Sequence, residues 1–178
     1  MQTKKLTVIA LLTAVLCVIS TWAIPIGPVP ISLATFAVYT ISAITSWKKG
    51  TFAVLLYILI GAIGLPVFSN AMGGVQKLFG ITGGYIWGYV ICALIIGMMV
   101  DKFETKKWVY PISMILGTLA CYLIGISWFM FFTGKSLQAA FVVCIVPFIL
   151  FDIIKIAAAS LFSYKLRFLI KDKFLKDL

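Results

Sequence analysis

Two charged side chains stand where a chain this apolar should carry none. Asp152 and Lys155 lie in Phe151-Asp152-Ile153-Ile154-Lys155-Ile156-Ala157, well inside a long apolar segment. If that segment crosses a bilayer, a charge at its centre costs about 2.5–3.5 kcal/mol on insertion scales. The i,i+3 spacing puts both on one helix face, where each can neutralise the other. A purely structural ion pair is the plain reading, but an apolar pair would be cheaper there. Ionisable residues inside a membrane usually mark a substrate or ion path. An acceptor and a cationic donor side by side suit a ligand with both N–H and C=O or carboxylate groups.

A second feature is rich in glycine. Gly61-Ala62-Ile63-Gly64-Leu65-Pro66-Val67-Phe68-Ser69-Asn70-Ala71-Met72-Gly73-Gly74 is followed by Gly80-Ile81-Thr82-Gly83-Gly84-Tyr85. Glycine permits positive φ and close backbone approach. Irregular backbone at membrane depth is tolerated where it is buried in protein or lines a cavity. The stretch therefore offers backbone amides, including those of Gly73 and Gly74, together with Asn70, Thr82 and Tyr85, to a pocket. The plain alternative is an ordinary long loop. It is not a nucleotide loop, because GxxxxGK[ST] is absent.

Other chemistries lack their residues. The chain has no histidine, which removes the commonest general base and metal ligand. Cys17, Cys92, Cys121 and Cys144 sit inside apolar runs without metal spacing and read as small packing residues. There is no Ser/His or HExxH constellation, and Asp152 has no second carboxylate within the apolar segments. The expectation is no catalytic residue, no metal and no cofactor.

The elements that must hold Asp152 and Lys155 follow from composition. The chain has 178 residues, 63% hydrophobic and 11% charged, against about 45–50% and 25% in soluble domains. A spanning helix needs about 20 mostly apolar residues. Six segments qualify, and the whole chain reads as one membrane domain over 1–178: Leu6–Ile24, Ile31–Trp47, Thr51–Phe68, Gly83–Val100, Trp108–Phe132 and Leu137–Phe168. The first, behind Lys4 and Lys5, loosely resembles a signal peptide. It is too long for an h-region and has Trp22 at the cleavage context, so it reads as a retained span. Pro25, Pro28 and Pro30 interrupt helix between the first two. Long unbroken runs exclude a β-barrel.

The net charge of +10 would suggest nucleic acid in a soluble protein; here it sorts by side. Lys4, Lys5, Lys48, Lys49, Lys102, Lys106, Lys107, Lys165, Arg167, Lys171, Lys173 and Lys176 fall on one side, and Lys77 and Lys135 on the other. The positive-inside rule then puts both termini in the cytoplasm, which requires an even number of spans, and puts the glycine-rich loop outside. The expectation is an all-α integral membrane protein with six transmembrane helices. Trp47, Trp108, Trp128 and Tyr110 fall near span ends, as aromatic belts do. Ala10 and Ala14 form a small-xxx-small pattern that serves helix packing or a docking face.

These residues resemble the biotin-specific S component of energy-coupling-factor (ECF) transporters, the BioY family. The resemblance rests on Pro28-Val29-Pro30-Ile31-Ser32-Leu33, Gly64-Leu65-Pro66-Val67-Phe68, Thr82-Gly83-Gly84-Tyr85, Asp152-x-x-Lys155 and Ala10-xxx-Ala14. They run from the first segment to the last. Two departures stand out. Ala34 occupies a position where the family often has Gln, which removes a polar contact. Ile81 replaces the Pro of GPTGGY, which loosens the turn. The resemblance implies an outward-facing vitamin site, no ATPase activity in this chain, and location in the prokaryotic plasma membrane. It also implies docking, through Ala10 and Ala14, onto a transmembrane coupling subunit that carries two ATPase subunits. For biotin, Asp152 would accept from a ureido N–H. Lys155 would donate to the ureido oxygen or to the carboxylate. Asn70 and loop amides would hold the other polar end, Tyr85 would pack on the rings, and the Pro25–Pro30 loop would act as a lid. Rivals are an S component for another small vitamin and a stand-alone carrier or channel. A proton relay needs chains of titratable groups across the membrane, and one pair without histidine argues against it.

Overall fold

The computed structural model describes residues 2–170. Of the charge count above, Lys171, Lys173 and Lys176 and the side chains of Lys4 and Lys5 lie outside the described residues. The chain runs α1 (Gln2–Ser20), β1 (Ala23–Ile24), β2 (Ile31–Ser32), α2 (Ala34–Ile44), α3 (Trp47–Ala62), α4 (Val75–Leu78), α5 (Gly83–Lys102), α6 (Val109–Thr133), α7 (Leu137–Cys144) and α8 (Val146–Ile170). By length and composition, α5, α6 and most of α8 are long and apolar enough to cross a membrane. Leu123, Phe131 and Leu161 are among many large apolar side chains left exposed, as lipid contact requires and water does not favour.

Four expected segments differ from the helices found; the first stops as helix at Ser20, and its expected end, Ala23–Ile24, is strand β1. The second is shorter: α2 has 11 residues and rises about 16 Å, roughly half the hydrocarbon thickness. Its expected first turn instead pairs as a strand, with Ala23 opposite Ser32 and Ile24 opposite Ile31. Pro25, Pro28 and Pro30 forbid helix there, and the hairpin satisfies backbone groups that a helix would have used. The amide of Leu33 also donates to the Trp22 carbonyl at 3.0 Å. The third segment ends as helix at Ala62, just inside the glycine-rich stretch. The sixth breaks between α7 and α8 at Ile145, which has φ −123°. Pro147 lacks an amide hydrogen, and its ring clashes with the carbonyl four residues back, so helix stops and restarts.

α5 occupies the centre and packs against α6, α3 and α2; α2 also lies along α8. Close approach at the start of α5 depends on glycine. A Cβ on Gly84 would stand 2.3 Å from the Trp128 Cβ. In the turn around Ile81 the Gly83 amide donates to the Gly80 carbonyl at 2.9 Å. The Trp128 indole donates to the same carbonyl at 2.9 Å.

At the other end of α8, Arg167 is 7% exposed and ties four segments together. Nη1 donates to the carbonyls of Ala43 and Thr45, both at 2.9 Å, at the end of α2. Nη2 donates to Asp101 Oδ1 at 2.6 Å and Glu104 Oε2 at 3.4 Å. Asp101 Oδ2 accepts from the Trp47 amide, 2.7 Å away, at the start of α3. A cation at a helix C-terminus and an anion at the next N-terminus both oppose the local dipole. Asp152, Lys155, Ala159, Ser163 and Arg167 are all buried and recur every three or four residues, which makes them one face of α8.

Candidate ligand-binding site

Asp152 and Lys155 are 4% and 8% exposed, turned inward by the period that also buries Ala159. Lys155 Nζ stands 3.0 Å from Asp152 Oδ1 and donates to Thr35 Oγ1 at 3.1 Å. The Tyr122 hydroxyl donates to Asp152 Oδ2. Each carboxylate oxygen thus holds one in-chain donor and keeps a lone pair, and Lys155 keeps one N–H. Charge-assisted bonds of this kind hold a buried pair that would otherwise be costly.

These groups face a cavity of about 50 Å³, larger than the ~10–15 Å³ that one water needs. Its walls come from nearly every element. The hairpin contributes Val29, Pro30 and Ser32, and α2 contributes Thr35 and Tyr39. Tyr57 comes from α3, Phe68 and Ser69 from the loop after it, and Lys77 from α4. Thr82, Tyr85, Tyr89 and Cys92 open α5's side, with Thr118, Cys121 and Tyr122 from α6, and Phe148 from α8. Aromatic walls around a few placed polar groups are the common design of small-molecule sites. The walls are themselves pinned. Tyr39 and Thr118 share a hydrogen bond of 2.6 Å. The Tyr85 hydroxyl donates to the Cys144 carbonyl at 3.1 Å, a group at the α7–α8 break.

Of the residues expected from sequence, Asp152, Lys155, Thr82 and Tyr85 come together on this cavity. Asn70, Gly73 and Gly74 do not line it; they shape the loop that carries Ser69. Asn70 is exposed, has φ +62°, and its amide donates to the Thr21 carbonyl at 3.1 Å. Gly74 has φ +96°, and a Cβ on Gly73 would lie 2.3 Å from the Leu65 carbonyl oxygen. Ala10 and Ala14 are exposed on α1, away from the cavity.

Sequence reasoning missed Tyr122, Thr35 and Lys77. Tyr122 lies thirty positions from Asp152, and no local spacing joins them. Thr35 follows Ala34, the position that departs from the family pattern, and its neighbour's hydroxyl supplies a polar contact to the pair. Lys77 did carry a signal, as one of two basic residues on the charge-poor side. It is half-buried, and burial lowers the pKa of its ammonium from the ordinary lysine value. Its hydrogen bond runs to the Met72 sulfur at 3.4 Å.

An apolar helical bundle closed around an aromatic cavity with an ion pair on its wall has the layout of a membrane protein that captures a small molecule. The fold superposes on the crystal structure of the S-component for biotin from an ECF-type ABC transporter, with a TM-score of 0.86 and 27% identity. The match covers 93% of this chain and 92% of that one. The BioY family model matches residues 1–172. A biotin transporter BioY of Thermotoga maritima is 40% identical over 153 residues, 85% of this chain and 89% of the relative. The biotin transporter BioY2 of Lactococcus lactis is 36% identical over 169 residues, 93% of each. A probable biotin transporter BioY of Pyrococcus horikoshii is 34% identical, covering 94% of this chain and 98% of the relative. The chain belongs to the BioY family.

Proposed function

We propose that this chain is the substrate-binding S component of an ATP-driven vitamin uptake transporter and that its cavity captures biotin from outside the cell. The observation that carries this reading is the buried pair with its open valences. Asp152 has lone pairs left for ligand N–H groups, and Lys155 has one N–H left for a carbonyl. A cyclic urea presents N–H and C=O groups side by side and uses both. Because the Lys155 charge is already matched by Asp152 at 3.0 Å, Lys155 serves the ureido oxygen rather than a carboxylate. The thioether ring and stem then lie among the tyrosines and Phe68, with the Ser69 and Thr82 hydroxyls at the loop end. The β1–β2 hairpin, through Val29, Pro30 and Ser32, covers the site.

Six spans over one membrane domain, with both termini in the cytoplasm of a prokaryotic plasma membrane, fit the charge distribution. In this topology the short α2 completes its crossing through the hairpin. The exposed Ala10 and Ala14 on α1 provide a close-approach face for a transmembrane coupling subunit, which would carry two ATPase subunits. Biotin is cargo, and this chain performs no chemistry on it. The test is a thermal-shift screen of detergent-purified protein against biotin, thiamin, riboflavin and niacin. Stabilisation by biotin alone supports the reading. Stabilisation by one of the others in its place makes this an S component for that vitamin.

A further inference from the structure

The charges on the cavity wall do not cancel. Asp152 and Lys155 neutralise each other at 3.0 Å, and Lys77 adds a second basic side chain to the cavity's lining. Among the described residues, no carboxylate forms an ion pair with Lys77; the ion pairs are those of Lys155 and Arg167. Its hydrogen bond goes to the Met72 thioether sulfur, a weak acceptor that a stronger one displaces. A half-buried ammonium without a matching anion is costly, and burial lowers its pKa. An anion arriving beside it recovers that cost.

The two ammonium groups also sit on different supports. Lys155 is within α8, and Lys77 is on α4, in the connection between α3 and α5 that also contributes Ser69 and Thr82 to the wall. A ligand with its urea at the first has its other end free for the second. A carboxylate placed at Lys155 would instead lie beside Asp152, against like charge.

We propose that Lys77 reads the carboxylate of the ligand, so that the cavity selects the monoanionic free acid over neutral derivatives of the same molecule. The inference rests on the biotin reading above and adds a residue and a specificity to it. A net positive wall matches one negative charge, and an amide or ester at the same position leaves Lys77 unmatched. Conjugates that have lost the acid are therefore poor ligands even where they fit.

The experiment is titration calorimetry of the full chain in detergent, wild type, Lys77→Gln and Lys77→Arg, each against biotin and biotinamide. The wild type should bind biotin at least about tenfold more tightly than biotinamide, the range of one charge-assisted hydrogen bond. Lys77→Gln should lose that preference by weakening biotin alone, and Lys77→Arg should keep it. Unchanged preference in Lys77→Gln, or equal weakening of both ligands, overturns the role of Lys77 and leaves the biotin reading standing. A folded wild type that binds neither ligand overturns the biotin reading and the role of Lys77 with it.

Discussion

Asp152 is held from two directions, by Lys155 on one oxygen and by Tyr122 on the other. The tyrosine fixes the carboxylate in orientation without using its full accepting capacity. Tyr122→Phe removes one hydrogen bond to a charged group, worth about 1.5–3 kcal/mol. The bond is present before any ligand arrives, so the melting temperature of the unliganded protein should fall by several degrees, and biotin affinity measured by calorimetry should fall as well, because Asp152 loses the donor that orients it. Asp152 and Lys155 were legible in the sequence because a charge in an apolar run needs a reason. Tyr122 and Thr35 were not, since an aromatic or a threonine in such a run is unremarkable until tertiary packing sets it beside the pair. The opposite holds for Asn70, Gly73 and Gly74. Their residue types signal special backbone correctly, with positive φ at Asn70 and Gly74, but the pattern does not reveal which way that backbone faces.

At the scale of elements, the docking face proposed on α1 lies apart from the cavity. Ala10 and Ala14 stand on it with Leu11 and Val18, all exposed, and none of them lines the cavity. Ala10→Trp and Ala14→Trp should each block co-purification with the coupling subunit and leave biotin affinity within about twofold, since distant sites act nearly independently. Loss of biotin binding in both variants would show that α1 shapes the pocket instead. Helices α5 and α6 were read from sequence to within a residue or two, because their apolar runs are bounded by Gly83-Gly84 and Lys102, and by Trp108 and Gly134. The hairpin and the α7–α8 break were hidden inside apolar runs. Hydropathy reports what lipid or core accepts, and apolar residues satisfy it equally as helix, strand or break. Pro147 is the local sign of the break, and the apolar run around it masks that sign.

For the molecule as a whole, Arg167 joins the ends of α2, α3, α5 and α8 at the end of the bundle remote from the pair. The positive-inside count used it as one more cytoplasmic charge, yet it is buried and bound to two carbonyls and two carboxylates. Arg167→Ala leaves Asp101 without its cation and two carbonyls without donors. Breaking a buried pair in this way costs about 3–5 kcal/mol, so the melting temperature in detergent should fall by several degrees while added biotin still raises it. On the proposed function, the two polar clusters on one face of α8 divide the work, Arg167 holding the bundle and Asp152 with Lys155 holding the ligand. The most direct measurement of that division is titration calorimetry of biotin into folded wild type and Asp152→Asn. The wild type should bind one biotin per chain, and the variant, with Lys155 left unmatched, should bind more than about a hundredfold more weakly. Equal affinity in a folded Asp152→Asn protein would contradict the assignment of the pair as the biotin site.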